Sequence, residues 1–215
     1  FGEGNDTIYP VFNTYIITLP NATRTGYTFN GWYTASSGGT YVGKSGSSYS
    51  PTSNTTLYAH WTPITYNISY NLNNGTHGSS HPTSATYGSG VNISNPTKKI
   101  TVNLSNGTTA SGATISSTTA SADQTFAGWT AANLNTTTAR YGSSSTSINT
   151  QWSNGSTKTT SKYYKNLTAT NNATVTLTAN WTQKNITLPK ITKTGYTCGW
   201  ATSSSATTIT YASGA

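Results

Sequence analysis

The chain has 215 residues, of which 7% are charged and 33% hydrophobic, and 11 basic against 3 acidic residues give a formal net charge of +8. Ordinary soluble domains carry roughly 25% charged residues, so the polar surface here must come from Ser, Thr, Asn and Gly, which are poor helix formers. With three carboxylates, paired-acid catalysis is disfavoured, and the basic excess reflects missing acids rather than a basic patch. The composition predicts an all-β protein that is not an enzyme and uses no cofactor.

The first repeated element along the chain is a strand that ends in Gly-Trp. Residues 25–32 (TGYTFNGW) return as residues 123–129 (DQTFAGW) and, one residue shorter, as residues 194–200 (TGYTCGW). Alternate side chains of such a strand face one core, and the glycine lets the backbone of another strand approach closely. Three copies indicate tandem modules.

A closing strand follows each of the first two copies, at residues 56–62 (TLYAHWT) and 176–182 (TLTANWT). Both alternate with period two, so their Leu, Ala and Trp residues share one face. The apolar positions of the Gly-Trp and closing strands predict the module cores: Phe29, Trp32, Leu57, Trp61, Phe126, Trp129, Leu177, Trp181, Tyr196 and Trp200.

Short strands that end in Pro precede the Gly-Trp element, at residues 17–20 and 186–189 (both ITLP) and, more loosely, at residues 92–96 (NISNP). The central module opens with an alternating strand at residues 66–72, which leads into the turn signal of residues 73–75 (NNG). The proline ends its strand because it cannot donate to a ladder.

These elements divide the chain into four predicted segments. Residues 1–13 form a strand that resembles a closing strand, residues 14–63 a first module, residues 64–183 an enlarged second module, and residues 184–215 an incomplete third module. The predicted fold is therefore all-β, with tandem small modules, the last of them completed by a strand from elsewhere.

The first module resembles the Listeria-Bacteroides repeat, or internalin-type B-repeat. The resemblance rests on residues 19–20 (LP), 25–34 (TGYTFNGWYT), 37–40 (SGGT) and 57–62 (LYAHWT), and it is looser in the other modules. It implies small β-grasp-like domains in long, secreted, wall-attached bacterial proteins that act as stalks or adhesins. It implies an extracellular location, on the cell surface or in a secreted filament, and supplies no catalytic residues.

The N-terminal strand matches the element that the third module lacks, with Ile8 in place of Leu57 and Phe12 in place of Trp61. A module without its last strand exposes an unpaired edge, which is a template for another strand. One hypothesis is that this strand of one copy completes the third module of the next, head to tail. The alternatives are an excised piece of a longer array and a subunit that closes on itself. The assembly residues are Thr7, Ile8, Tyr9, Val11, Phe12, Thr208, Ile209, Thr210 and Tyr211.

Other candidate sites are given structural interpretations. Cys198 has no partner for a disulfide or a metal pair, and His77 and His81 are interpreted as solvated loop residues. His60 is expected to point from its closing strand into solvent. Because the chain has neither a long apolar run nor a basic patch, neither membrane insertion nor nucleic-acid binding is predicted.

Exposed aromatic rings leave a binding alternative open, in which the module is an adhesin for a host or cell-wall glycan or protein. Rings stack on the apolar faces of sugars, although cross-strand packing is the favoured interpretation of these side chains. The candidate rings are Tyr33, Tyr41, Tyr49, Tyr163 and Tyr164.

Overall fold

The computed structural model describes residues 15–105, 112–202 and 210–212. Within these ranges the chain forms strands and no helix, which confirms the all-β prediction. The strands are β1 (Ile17–Thr18), β2 (Tyr27–Tyr33), β3 (Tyr41–Gly43), β4 (Ser48–Tyr49), β5 (Tyr58–Pro63), β6 (Thr65–Asn71), β7 (Ser84–Thr86), β8 (Gly90–Asn92), β9 (Lys99–Asn103), β10 (Thr114–Ile115), β11 (Thr119–Asp123), β12 (Thr125–Ala132), β13 (Arg140–Gly142), β14 (Thr150–Gln151), β15 (Tyr163–Lys165), β16 (Thr174–Thr182), β17 (Ile191–Thr192), β18 (Gly199–Trp200) and β19 (Tyr211–Ala212).

The chain divides into two compact units. The first comprises Phe1–Ile64 and the short segment Ala169–Asn171, and the second comprises Thr65–Thr168 and Asn172–Ala215.

The first unit is built on a sheet of strand order β3-β2-β5, in which the Gly-Trp strand β2 lies between its neighbours and pairs antiparallel with both. The short strand β1 pairs with β4. Leu19 follows β1 and is 2% exposed, and the indole N–H of Trp32 donates to the Pro20 carbonyl oxygen at 2.9 Å. The Leu-Pro sequence thus supplies one core side chain and one hydrogen-bond acceptor to the module.

The second unit carries a larger sheet of order β12-β16-β6-β7. The closing strand β16 lies between antiparallel β12 and parallel β6, and the hydroxyls of Ser69 and Thr176 are 2.8 Å apart across that parallel pair. The alternate residues Val175, Leu177 and Ala179 of β16 are fully buried, because they share the face of the sheet that packs on the core.

The core of the second unit joins this sheet to a second one of order β14-β13-β15-β8. Large side chains from both sheets and from the connecting segments fill it, since the chain supplies few medium-sized aliphatic residues. Its largest fully buried members are Trp129, Trp152, Tyr66, Tyr164, Ile93, Leu167, Leu177 and Val175.

The third Gly-Trp element also lies in the second unit. Strand β17 pairs with β10, and β18 forms a hairpin pair with β19. Trp200 is 7% exposed, and its indole N–H donates to the Pro189 carbonyl oxygen at 2.9 Å, as Trp32 does to Pro20. The Pro-ended strand therefore has the same role in the first and third modules.

One predicted core residue is placed differently from the others. Tyr196 is 67% exposed, and the Lys193 ammonium lies over its ring, 4.4 Å from the ring centroid. Leu57 precedes β5, which begins at Tyr58, and it is half-buried, as Phe29 and Trp61 are. The prediction for Tyr196 was wrong.

Candidate structural and binding surfaces

The Gly-Trp strand pairs with the closing strand in the same register in the first two modules. In the first module Phe29 is opposite Trp61 and Trp32 is opposite Ala59. In the central module Phe126 is opposite Trp181 and Trp129 is opposite Ala179. The sequence repeat therefore corresponds to a repeated strand pair with the same register.

Three aromatic rings meet at this strand pair in the first module. The rings of Phe29 and Trp32 are 5.6 Å apart between centroids, and those of Phe29 and Trp61 are 5.3 Å apart. These tilted and edge-on arrangements are the ones that aromatic quadrupoles favour.

The central module repeats the arrangement with distances of 5.2 Å for Phe126 and Trp129 and 5.7 Å for Phe126 and Trp181. We call each set of three rings the aromatic triad of its module. Trp181 also donates its indole N–H to the Leu72 carbonyl oxygen at 3.0 Å, which ties the closing strand to the end of the parallel strand β6.

A β-bulge at the glycine makes the aromatic triad feasible. The register shifts between Phe29 and Gly31, and again between Phe126 and Gly128. Both glycines have positive φ, +129° and +115°, which side chains rarely adopt. The extra residue puts Phe and the Trp three positions later on one face, where simple alternation would have separated them.

The third module shows which edge a closing strand would need. In the first module, Trp32 pairs with Gly43 of β3 on one side and with Ala59 of the closing strand on the other. In the third module, Trp200 pairs with Tyr211, so β19 corresponds to β3. Among the described residues, the opposite edge of β18 has no paired strand.

Two of the predicted assembly residues, Thr210 and Tyr211, lie within the described part of the chain. Thr210 and Tyr211 are exposed and lie on the β3-like side of the hairpin, whereas a closing strand pairs with the Gly-Trp strand in the other modules. In the described part of the chain, the unpaired edge that corresponds to the partner of the closing strand in the other modules is that of Gly199–Trp200. The remaining assembly residues, Thr7, Ile8, Tyr9, Val11, Phe12, Thr208 and Ile209, lie outside the described residues.

The prediction that His60 points freely into solvent was wrong. Its ring stacks on Tyr33 with centroids 3.9 Å apart and planes 9° apart, and its Nε2–H donates to the Ala35 carbonyl oxygen at 2.8 Å. The closing strand directs this side chain outward, but Tyr33 on the adjacent strand covers it.

His77 and His81 are exposed, as predicted, but they are not independent of each other. Their rings stack with centroids 4.3 Å apart, and the edge of Tyr70 packs at 5.2 Å from His77. The pKa of His77 is lowered from its ordinary value, first by desolvation and then by the charge of His81.

The candidate tyrosines separate into two groups. Tyr164 is fully buried, Tyr163 and Tyr49 are half-buried, and all three belong to strand pairs. By contrast Tyr33 and Tyr41 lie side by side, with ring centroids 5.4 Å apart, and Tyr41 is 51% exposed. Tyr58, which the sequence analysis did not single out, is opposite Tyr33 on the other side and is 39% exposed.

The sequence does contain a pattern that predicts the outward direction of the Tyr58 side chain. It alternates with Leu57 and Ala59 in the closing strand, so it had to face away from the module core. The residue that lies beside Tyr58 across the sheet depends on the strand order, and the sequence pattern does not predict that order.

Three tyrosines in or against the core of the second unit resist ionisation. Burial raises the pKa of Tyr70 and of Tyr164 far above the ordinary value, and desolvation also raises the pKa of Tyr66. The hydroxyl of Tyr70 donates to the Pro82 carbonyl oxygen at 2.8 Å, and that of Tyr164 donates to the Ser161 carbonyl oxygen. These groups act as neutral hydrogen-bonding core residues.

The described ranges also bear on metal binding, on the Cys198 thiol and on membrane insertion. No group of three or more His, Cys, Asp or Glu side chains there could hold a metal ion. Cys198 is a free, half-buried thiol. Among the same residues there is no helix of the length and apolarity needed to cross a bilayer.

The fold and its repeated strand pair define a class, namely an all-β repeat protein whose modules are organised by a bulged Gly-Trp strand and a closing strand. Residues 3–60 match the family model of the Listeria-Bacteroides repeat domain, so the predicted resemblance is confirmed for this part of the chain. This match supports a bacterial repeat protein. No curated protein and no solved structure matches the chain.

Proposed function

We propose that this chain is a structural repeat protein of a bacterial surface, in which the modules serve as the units of a stalk. The observation that carries the proposal is the repeated register of the Gly-Trp and closing strands, with its aromatic triad, in two modules. Tandem modules with aromatic triads and few charges suit a spacer, because each of the two compact units has buried apolar side chains of its own.

Mechanical and cellular measurements test this role. When the full chain is stretched by its ends in a force microscope, the two compact units are expected to unfold in separate events. In the bacterium that makes the protein, protease added to intact cells is expected to remove it. A single unfolding event, or complete protection in cells whose envelope is intact, would contradict the proposal.

We further propose that the stalk extends by strand complementation, with the N-terminal strand of one copy completing the third module of the next. Two observations support this proposal. Residues 7–12 match the closing strands in sequence pattern. In the described part of the chain, the edge of β18 that does not face β19 is unpaired. The register of the first module, Phe29 opposite Trp61, aligns Cys198 with Phe12.

The natural cysteine permits a direct test of this register. In the Phe12→Cys variant, mild oxidation with diamide is expected to give a disulfide ladder of dimers and higher species on a denaturing gel. The Tyr15→Cys variant is the matched control, because Tyr15 is 73% exposed and three residues away from the proposed register. Paired β residues lie within the Cα separation that a disulfide needs, about 4.4–6.8 Å.

Two other outcomes of the crosslinking experiment would contradict the filament. A monomer with an internal disulfide would establish self-closure, and equal crosslinking of both variants would indicate random collision. Either outcome would overturn the filament while leaving the stalk proposal to the force and protease measurements.

An adhesive function is the second candidate. The specific observation in its favour is the outward row of Tyr33, Tyr41 and Tyr58 on the first module. In this role the module would bind a host or cell-wall ligand, and the same stalk would present it.

A further inference from the structure

The outer face of the first module carries four aromatic side chains on three adjacent strands. Tyr33 is opposite Tyr41 on one side and opposite Tyr58 on the other, and His60 stacks on Tyr33 at 3.9 Å. We call these four residues the tyrosine platform. The aromatic triad of the same module faces its core, so the platform is not part of that packing.

The central module shows that the fold does not need the platform. At the register position of the Tyr33–Tyr58 pair it has Thr130 opposite Thr178, and where Gly31 is opposite His60 it has Gly128 opposite Asn180. The central module forms its strand pair, its bulge and its aromatic triad with these small polar residues. The aromatic side chains of the platform are therefore an addition to the module and not a requirement for it.

The arrangement of the platform favours a ligand. A hydrogen bond to the Ala35 carbonyl oxygen orients the His60 ring. The His60 ring stacks on one face of the Tyr33 ring and so holds that ring in position. Beyond His60 on the same strand pair, the side-chain amide of Asn30 donates to the Thr62 hydroxyl at 2.8 Å. Rings with two χ angles lose little conformational entropy on binding, and the adjoining hydroxyl and amide groups supply directional hydrogen bonds.

The charge of this surface selects among ligands. Residues 15–64 contain no Asp or Glu and two basic residues, Arg24 and Lys44, and the Arg24 guanidinium lies over the Tyr27 ring at 3.9 Å. The platform itself consists of Tyr and His. A nucleic acid would stack on such rings but also needs a cationic groove for its phosphates, and a basic peptide would find no carboxylate partner.

We propose that the tyrosine platform binds a neutral oligosaccharide, with the C–H faces of successive pyranose rings stacked on the tyrosines and their hydroxyls bonded to the polar groups beside them. A neutral sugar chain matches this surface because it offers apolar faces and hydroxyl groups without charge. The proposal deepens the adhesive function by naming its residues and ligand class, and it does not depend on head-to-tail assembly.

The test is a titration of the full chain with three neutral hexasaccharides, namely cellohexaose, mannohexaose and chitohexaose, followed by NMR of the aromatic rings. At least one sugar is expected to shift the resonances of Tyr33, Tyr41, Tyr58 and His60 selectively. The variant Tyr33→Thr/Tyr58→Thr/His60→Asn, which introduces the residues of the central module, is expected to bind at least tenfold more weakly.

Two further variants keep the result interpretable. Tyr196→Thr removes an exposed ring from another part of the chain and is expected to leave binding unchanged. Tyr41→Ala removes an edge ring and serves if the triple variant does not fold, as judged by circular dichroism.

The proposal is overturned if none of the three sugars at millimolar concentration shifts a platform resonance, or if the variants of the platform bind as tightly as the natural chain. Equal or tighter binding of an anionic hexasaccharide of hyaluronan would overturn the choice of a neutral ligand. None of these outcomes affects the stalk or the filament proposal, whose tests use force, protease and crosslinking.

Discussion

Gly128 lies so close to the backbone of Thr159 that a Cβ at residue 128 would be 2.9 Å from the Thr159 carbonyl oxygen. The neighbouring Trp129 exchanges two backbone hydrogen bonds with Thr159, at 2.7 and 3.1 Å. In the first module, a Cβ on Gly31 would be 2.9 Å from the Gly43 carbonyl oxygen. The glycine of Gly-Trp thus combines a positive φ with a close backbone approach in both modules.

We predict that Gly128→Ala destabilises the second unit strongly, since the new methyl group must displace backbone and adopt a strained φ. The matched control is Gly195→Ala, where φ is +79° but no atom lies within 4 Å of the added Cβ. The control is expected to cost about 1 kcal/mol, and Gly128→Ala about 2 kcal/mol more, in the free energy of unfolding. Urea unfolding followed by tryptophan fluorescence measures both, and equal losses would refute the role of the close approach.

The aromatic triads predict equal coupling energies in two modules. Double-mutant cycles with leucine at Phe29 and Trp61 are expected to give a coupling of about 0.5–1.5 kcal/mol, because leucine cannot reproduce the tilted ring contact. Cycles at Phe126 and Trp181 are expected to agree with this value within about 0.5 kcal/mol. Chemical unfolding measures both coupling energies. A coupling energy in one module and none in the other would contradict the prediction, because similar ring geometry would then not give similar interaction energy.

Alkaline pH is expected to destabilise the second unit. Desolvation raises the pKa of the partly buried Tyr70 in the folded state, so above pH about 10 the folded state binds more protons than the unfolded state. Stability is therefore fully present below that pH and falls as the pH rises, by about 1.4 kcal/mol per pH unit for each such tyrosine. Unfolding curves between pH 8 and 12 measure the slope.

The Tyr70→Phe variant checks the assignment. It removes one raised pKa and is expected to flatten the decline above pH 10, whereas Tyr196→Phe removes the hydroxyl of an exposed ring and serves as the control. An unchanged slope in Tyr70→Phe would exclude this residue as a source of the alkaline sensitivity.

The stacking of His77 on His81 predicts that the pKa of His77 depends on the presence of the His81 ring. His81→Asn is expected to raise the pKa of His77, since it removes a like charge, but not to restore it fully because desolvation remains. An NMR titration of the His77 ring measures the change, with His60→Asn as the control. Below the ordinary histidine pKa the unfolded state binds more protons at this site, so stability falls as the pH drops. An unaltered pKa in His81→Asn would contradict the electrostatic coupling.

The sequence by itself determined the strand character, the repeat and the buried face of the closing strand. The scarcity of charge, the period-two alternation and the Gly-Trp copies were enough, because these are local properties of the chain. Val175, Leu177 and Ala179 follow the alternation that the sequence predicts, and they are fully buried. The close approach at Gly31 and Gly128 also followed from the absence of a side chain.

The tertiary structure alone decided the pairings between distant segments. Residues 67–71 lie parallel to residues 174–178, more than a hundred positions away, and β10 pairs with β17. A bulge at Gly31 then determines that Phe29 shares a face with Trp32, and strand order brings Tyr41, Tyr33 and Tyr58 together. Period-two alternation specifies which way a side chain points along one strand, but the neighbouring strand and its register depend on how the whole sheet closes.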